Sequence, residues 1–90
     1  MLRSNVQGST LNPPVTMVFT GHFRPESFAE FVRHRAARLS LAMRLGTVND
    51  NRVEVAVEGA ADLVDMFEMA CSLGPIDCLV LDIHRNAERQ

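Results

Sequence analysis

The sequence predicts an α+β sandwich, in which a four-stranded antiparallel sheet carries two helices on one face. Three observations lead to this class. Ninety residues allow one domain. A composition of 47% hydrophobic and 22% charged residues is ordinary for a globular chain. The hydrophobic period changes in the order strand, helix, strand, strand, helix, strand. This order, with one tight hairpin and right-handed crossovers, predicts the ferredoxin-like split βαβ (βαββαβ) sandwich.

The first strand and the first helix are predicted from a change of period near residue 21. Apolar and polar side chains alternate over residues 15–20, which predicts a strand. Pro25 suits a first helical turn and Glu26 complements the helix dipole, while Ser27 is an alternative N-cap. The helix ends near residue 40, and its apolar stripe consists of Phe28, Phe31, Val32, Arg35, Ala36 and Leu39.

The middle of the chain predicts a β-hairpin. Leu41, Met43, Leu45 and Thr47 form one side of a strand, and a second alternating strand covers residues 53–58. The residues between them, Asn49-Asp50-Asn51, favour a turn because Asn and Asp hydrogen-bond their own backbone.

The last third predicts a second helix and a final strand. The helix covers residues 60–73 and ends at Gly74-Pro75. The strand covers residues 78–84, so we place the domain at 14–85 between polar tails at 1–13 and 86–90. The apolar face of the helix is Leu63, Met66, Phe67, Ala70 and Cys71, and Met17, Met43 and Met66 are expected to fill gaps in the core.

Composition excludes several classes of function. A net charge of −2 argues against nucleic acid or an anionic membrane as a partner, and all nine basic residues are Arg, which excludes Schiff-base lysine chemistry. No apolar run spans a bilayer and no segment resembles a signal peptide, which predicts a cytoplasmic protein. Cys71 and Cys78 lack the spacing of a zinc or redox motif, so we expect reduced thiols and neither metal nor cofactor.

Two polar groups are candidates for binding. His22, Arg24 and Ser27 lie near the N-terminus of the first helix, where free amides favour an anion such as phosphate or a small acidic ligand. The alternative is a solvated loop beside Glu26.

RNA recognition needs exposed aromatic side chains, and of the five Phe residues only Phe23 lies outside a predicted core position. The basic run Arg33, His34, Arg35 and Arg38 is interpreted as the solvated face of its helix.

Short runs over residues 15–84 follow the pattern of one known family. They are Gly21, Phe28 with the helix that follows it, Asp50-Asn51-Arg52-Val53-Glu54-Val55, Glu58-Gly59 and Gly74-Pro75. Together they resemble the acylphosphatases, small ferredoxin-like enzymes that hydrolyse carboxyl–phosphate anhydrides.

The resemblance fails at the positions that carry the chemistry. The family signature is Gly-x-Val-Gln-Gly-Val-x-Phe-Arg, and residues 21–29 read Gly-His-Phe-Arg-Pro-Glu-Ser-Phe-Ala. Without a gap, Ala29 stands where the catalytic Arg is expected and Pro25 replaces a loop Gly. The Asn that positions water in the family corresponds to Thr47. This pattern implies a degenerate, non-catalytic binding module.

Two alternatives remain open. A shortened loop would make Arg24 the catalytic arginine, with Asn49 in place of the missing Asn, and would give an active acylphosphatase. A small-ligand regulatory domain is the other. The sheet is expected to stop at four strands, which leaves an edge for a homodimer.

Overall fold

The structure is a computed structural model that describes residues 13–87, so residues 1–12 of the tail predicted at 1–13 and residues 88–90 of the tail predicted at 86–90 lie outside the described part. The predicted order of elements is confirmed. The elements are β1 (Val15–His22), α1 (Pro25–Arg38), β2 (Ala42–Val48), β3 (Arg52–Glu58), α2 (Ala61–Leu73) and β4 (Leu79–Ala87). None of the helices within residues 13–87 is long and apolar enough to cross a membrane.

The sheet has the order β2-β3-β1-β4, and every neighbouring pair is antiparallel. The two helices contact each other, so they lie on the same face of the sheet. This arrangement is the ferredoxin-like α+β sandwich that the hydrophobic periods predict. β4 runs to Ala87, two residues beyond the predicted end of the domain.

The core lies between the sheet and the two helices. The sheet contributes Met17, Phe19, Val53, Val55 and Val57, each at most 1% exposed. The helices cover them with Phe28, Val32, Ala36, Val64, Phe67 and Cys71. The strand alternation predicted for β1 and β3 therefore selects the buried side chains correctly.

Two predictions about burial are wrong. Met66 is 53% exposed, because the face of α2 that meets the sheet carries Val64, Phe67 and Cys71. Phe23 was expected to be free but is buried, with its ring centroid 4.7 Å from that of Phe28. Helical spacing alone does not show which face of α2 the sheet covers, and Phe23 lies between two elements, where no spacing indicates that Phe28 packs against it.

The pairing is irregular in two of the three strand pairs. The β2–β3 register shifts between Leu45 and Val48, and Val48 rather than Thr47 packs against the core, so the predicted alternation through Thr47 is wrong. The β1–β4 register shifts next to Gly21. A Cβ atom on Gly21 would clash with the carbonyl oxygen of Leu79, so this close approach of the strands requires glycine.

Candidate functional site

The candidate site is the connection between β1 and α1, where the strand ends at His22 and the helix begins at Pro25. Only Phe23 and Arg24 lie between them. Pro25 at the first helical position confirms the start suggested by its fixed φ, and Arg24 is the N-cap residue without a side-chain cap. Ser27 is therefore inside the first turn and is not the cap.

The backbone amides of this connection donate to protein acceptors. The Gly21 amide donates to the Asn51 carbonyl at 3.2 Å, and the Phe23 amide donates to the Asp50 carbonyl at 2.8 Å. The Arg24 amide donates to Cys78 Sγ at 3.4 Å. Pro25 has no amide hydrogen. A phosphate cradle needs several amides aimed at one ligand, and the amides of Gly21, Phe23 and Arg24 are already bonded within the protein.

The polar side chains at the start of α1 converge on Asp77. Ser27 Oγ donates to Asp77 Oδ1 at 2.9 Å, and Arg24 Nε lies 3.7 Å from Asp77 Oδ2. The Arg24 side chain is 74% exposed, so this ion pair adds little stability. The carboxylate of Asp77 therefore takes the acceptor role that an external anion would have at these two residues.

Cys78 completes the cluster beside Asp77. Burial raises the pKa of the Cys78 thiol, the amide of Arg24 opposes that shift, and the Asp77 carboxylate adds to it. The protonated thiol is thus favoured at neutral pH, and its Sγ lies 3.6 Å from Asp77 Oδ1. Since the thiolate is the nucleophilic form, this environment does not activate Cys78.

An open cavity of about 440 Å³ lies over the start of α1. It is lined by Phe23, Arg24, Pro25, Glu26 and Ser27. Phe23 gives it an apolar wall, and the carboxylate of Glu26 opposes any anion bound there. The cavity therefore suits a neutral or mixed ligand group better than a phosphate.

The other predicted site residues lie apart from this cluster or have structural partners. Ala29 is buried in α1 and offers no polar group. Thr47 is exposed on β2, and His22 is exposed at the end of β1. Asn49 Oδ1 accepts the amides of Asn51 and Arg52 at 3.0 and 2.8 Å, so it caps the hairpin turn.

Sequence reasoning missed Asp77 and the role of Cys78. Both are about 50 residues from α1 in the chain, and only the pairing of His22 with Leu79 brings them beside Arg24. The predicted topology contained that signal, because a β4 strand next to β1 places the segment before β4 beside the start of α1.

No metal site is found among residues 13–87, where no group of three or more His, Cys, Asp or Glu side chains is placed to hold an ion. His84 Nε2 lies 3.3 Å from Asp82 Oδ2, and both side chains are exposed on β4. This pair lacks a third ligand. Cys71 and Cys78 are both free thiols.

The arrangement of strands and helices is shared with known proteins. An acylphosphatase from Bacillus subtilis superimposes with a TM-score of 0.77 at 26% identity, over 86% of each chain. An acylphosphatase from Coxiella burnetii superimposes with a TM-score of 0.81 at 19% identity, over 93% of this chain and 88% of the other. The C-terminal domain of the MgtC protein from Mycobacterium tuberculosis superimposes with a TM-score of 0.58 at 18% identity, over 92% of this chain and 94% of the other.

No protein-family model matches the sequence, and no curated protein matches it. The likeness therefore rests on the fold, together with the short sequence runs that lie along it. From the strand order and these superpositions we conclude that the chain is an acylphosphatase-like domain with the ferredoxin-like fold.

Proposed function

We propose that this acylphosphatase-like domain is a non-catalytic binding module that no longer hydrolyses acyl phosphates efficiently. The observation that carries the proposal is the first β–α connection, whose amides donate to protein acceptors and whose arginine faces Asp77. Free thiols at Cys71 and Cys78 support a role in the cytoplasm.

The chemistry of acyl phosphate hydrolysis explains why these contacts matter. Negative charge develops on the phosphoryl oxygens, and donors placed there in advance lower the barrier. Ala29 supplies no guanidinium at the family position, and the Arg24 amide is bonded to Cys78. Loss of one such donor typically costs about 10²–10³-fold in rate, so the loss of several removes most of the catalytic advantage.

One observation favours a second candidate, an active acylphosphatase that uses Arg24. The helix begins directly at Pro25, as a shortened loop requires. The Arg24 guanidinium is exposed and lies 3.7 Å from Asp77, so it is free to turn away from this ion pair. Against it stand the carboxylates of Glu26 and Asp77, which both repel phosphate. Asn49, the water-positioning residue of this alternative, is engaged in the hairpin turn.

Hydrolysis of benzoyl phosphate separates the two candidates. Wild type, Arg24→Ala and Arg33→Ala are compared, the last as a control that removes an exposed arginine from α1 away from the cavity. We expect all three rates to equal the spontaneous rate. Wild-type turnover that is lost in Arg24→Ala and retained in Arg33→Ala would establish the second candidate instead.

A further inference from the structure

The two helices form an outer surface, here called the helix layer, whose exposed side chains differ sharply between α1 and α2. We propose that the helix layer is a self-association surface, on which α1 of one copy packs over α2 of a second copy. The inference rests on the proposed binding role and names the partner: another molecule of this chain.

The outer face of α2 is apolar. Met66, Met69 and Leu73 are 53%, 71% and 79% exposed, and their spacing places them in one stripe opposite Val64 and Phe67. Ile76, three residues beyond the end of the helix, is also fully exposed. A helix that is apolar on both faces is expected to be buried on both.

The charges of the two helices are complementary. The residues of α2 that carry a charge at neutral pH are all acidic: Asp62, Asp65 and Glu68. Asp65 and Glu68 also contact Arg85 of β4, whereas Asp62 makes no ion pair within residues 13–87. The C-terminal half of α1 is basic, with Arg33, His34, Arg35 and Arg38.

The basic half of α1 borders a groove in which polar and charged side chains, Glu30 among them, surround a small apolar patch. The groove has a volume of about 360 Å³, and Phe31 and Pro75 are its apolar lining residues. The Arg35 guanidinium lies 5.0 Å from the centroid of the Phe31 ring, which holds that arginine against the groove. His34 and Arg38 line the same groove.

The topology makes a two-fold arrangement of these surfaces possible. α1 runs against β1 and α2 runs against β3, and these strands are antiparallel, so the two helices are antiparallel as well. A two-fold axis that runs along the helices places α1 of one copy over α2 of the other, in opposite directions. The contact then occurs twice, as in an isologous dimer.

In this arrangement the surfaces match along their length. The C-terminal end of α1, with Arg38, lies over the N-terminal end of α2, with Asp62. The N-terminal half of α1, with Phe31, lies over Met69 and Leu73. The perpendicular two-fold axis in the same plane would pack α1 on α1 and α2 on α2 instead, and would leave Arg38 apart from Asp62 of the other copy.

Sedimentation velocity over a series of protein concentrations tests the proposal. We expect a monomer–dimer equilibrium for wild type and a dissociation constant at least about tenfold higher for Met69→Glu, since an apolar anchor at an interface centre is worth more than about 1.4 kcal/mol. Leu81→Glu is the matched control: Leu81 is 63% exposed on the edge strand β4. Both positions are exposed, and circular dichroism checks that each variant is folded.

A charge exchange gives a second, independent readout. Arg38→Glu is expected to weaken the dimer, added salt is expected to weaken the wild-type dimer, and Arg38→Glu with Asp62→Arg is expected to restore association. A monomer at every concentration overturns the inference. Three other results also overturn it. They are a dimer that remains intact in Met69→Glu, a dimer that is disrupted only by Leu81→Glu, and a dimer that is stronger in Arg38→Glu.

The two proposals fail separately. A monomer that does not hydrolyse benzoyl phosphate contradicts self-association alone. A dimer that hydrolyses it through Arg24 contradicts the non-catalytic role alone.

Discussion

Asp77 is the residue that most directly sets the chemistry at the start of α1. Its two carboxylate oxygens face Ser27 and Arg24, the same side chains that the sequence offers as an anion site. An external anion would compete with a carboxylate that is already part of the protein, and Glu26 adds a second negative charge beside it. The predicted site of His22, Arg24 and Ser27 is thus satisfied internally at two of its three residues.

Cys71 carries a pH dependence that can be measured. Burial raises the pKa of its thiol from 9.0 to about 12, and the nearby charge of Arg35 opposes that shift only in part. The folded protein therefore holds the thiol proton more tightly than the unfolded chain does. This contribution to stability is fully present below pH 9 and is lost as the pH rises from 9 towards 12.

Urea unfolding at a series of pH values from 8 to 11 checks this expectation. Above pH 9 the free energy of unfolding should fall by up to about 1.4 kcal/mol per pH unit, and the fall should be smaller in Cys71→Ala. The chain contains neither Lys nor Tyr, so few other groups titrate in this range. Cys78→Ala is the control: the pKa of that thiol is raised as well, but it is less buried than Cys71, so this variant should keep more of the fall than Cys71→Ala does. An equal slope for Cys71→Ala and wild type would contradict the assignment.

At the scale of the elements, the β2–β3 hairpin connects the sheet to the candidate site. The turn carbonyls of Asp50 and Asn51 accept the amides of Phe23 and Gly21, while Asn49 holds the turn itself. Asn49, which the shortened-loop alternative uses to position water, therefore caps the hairpin turn in the structure.

Asn49→Ala tests this structural role. Loss of two hydrogen bonds to backbone amides is expected to lower the free energy of unfolding by about 1–2 kcal/mol, with no effect on benzoyl phosphate hydrolysis. Asn51→Ala is the matched control, because its contact with Gly21 is made by the backbone carbonyl. Chemical denaturation measures both. A hydrolysis rate that falls in Asn49→Ala with unchanged stability would assign Asn49 to catalysis.

The elements themselves were largely predictable because their hydrophobic periods are clear. Met17 and Phe19 on β1, and the valines of β3, follow strict alternation in regular ladders. Alternation fails at Thr47 on β2 and on β4 opposite Gly21, where Val80 and Ile83 pack on the core and Leu81 is exposed, because the register of each pair shifts at that point. The prediction for Met66 is wrong because helical spacing does not distinguish a second apolar face of α2 from the face that meets the core.

At the scale of the whole molecule, the sequence predicts some features of the candidate site and not others. The substitutions at Ala29 and Thr47 are visible in the sequence, and so is the start of α1 at Pro25. The sequence does not show which residues contact the β1–α1 connection. The hairpin brings Asp50 and Asn51 to it, and the segment before β4 brings Asp77 and Cys78. The fold is that of acylphosphatases, while the contacts at this connection are made within the protein.

A titration with inorganic phosphate, followed by the amide resonances of ¹⁵N-labelled wild type, tests the central claim most directly. Phosphate is the product of acyl phosphate hydrolysis and would occupy the same cradle of amides. We expect the resonances of Gly21, Phe23 and Arg24 to stay in place, because their amides donate to Asn51, Asp50 and Cys78. Saturable shifts centred on these three amides would contradict the account and show that the connection still binds phosphate.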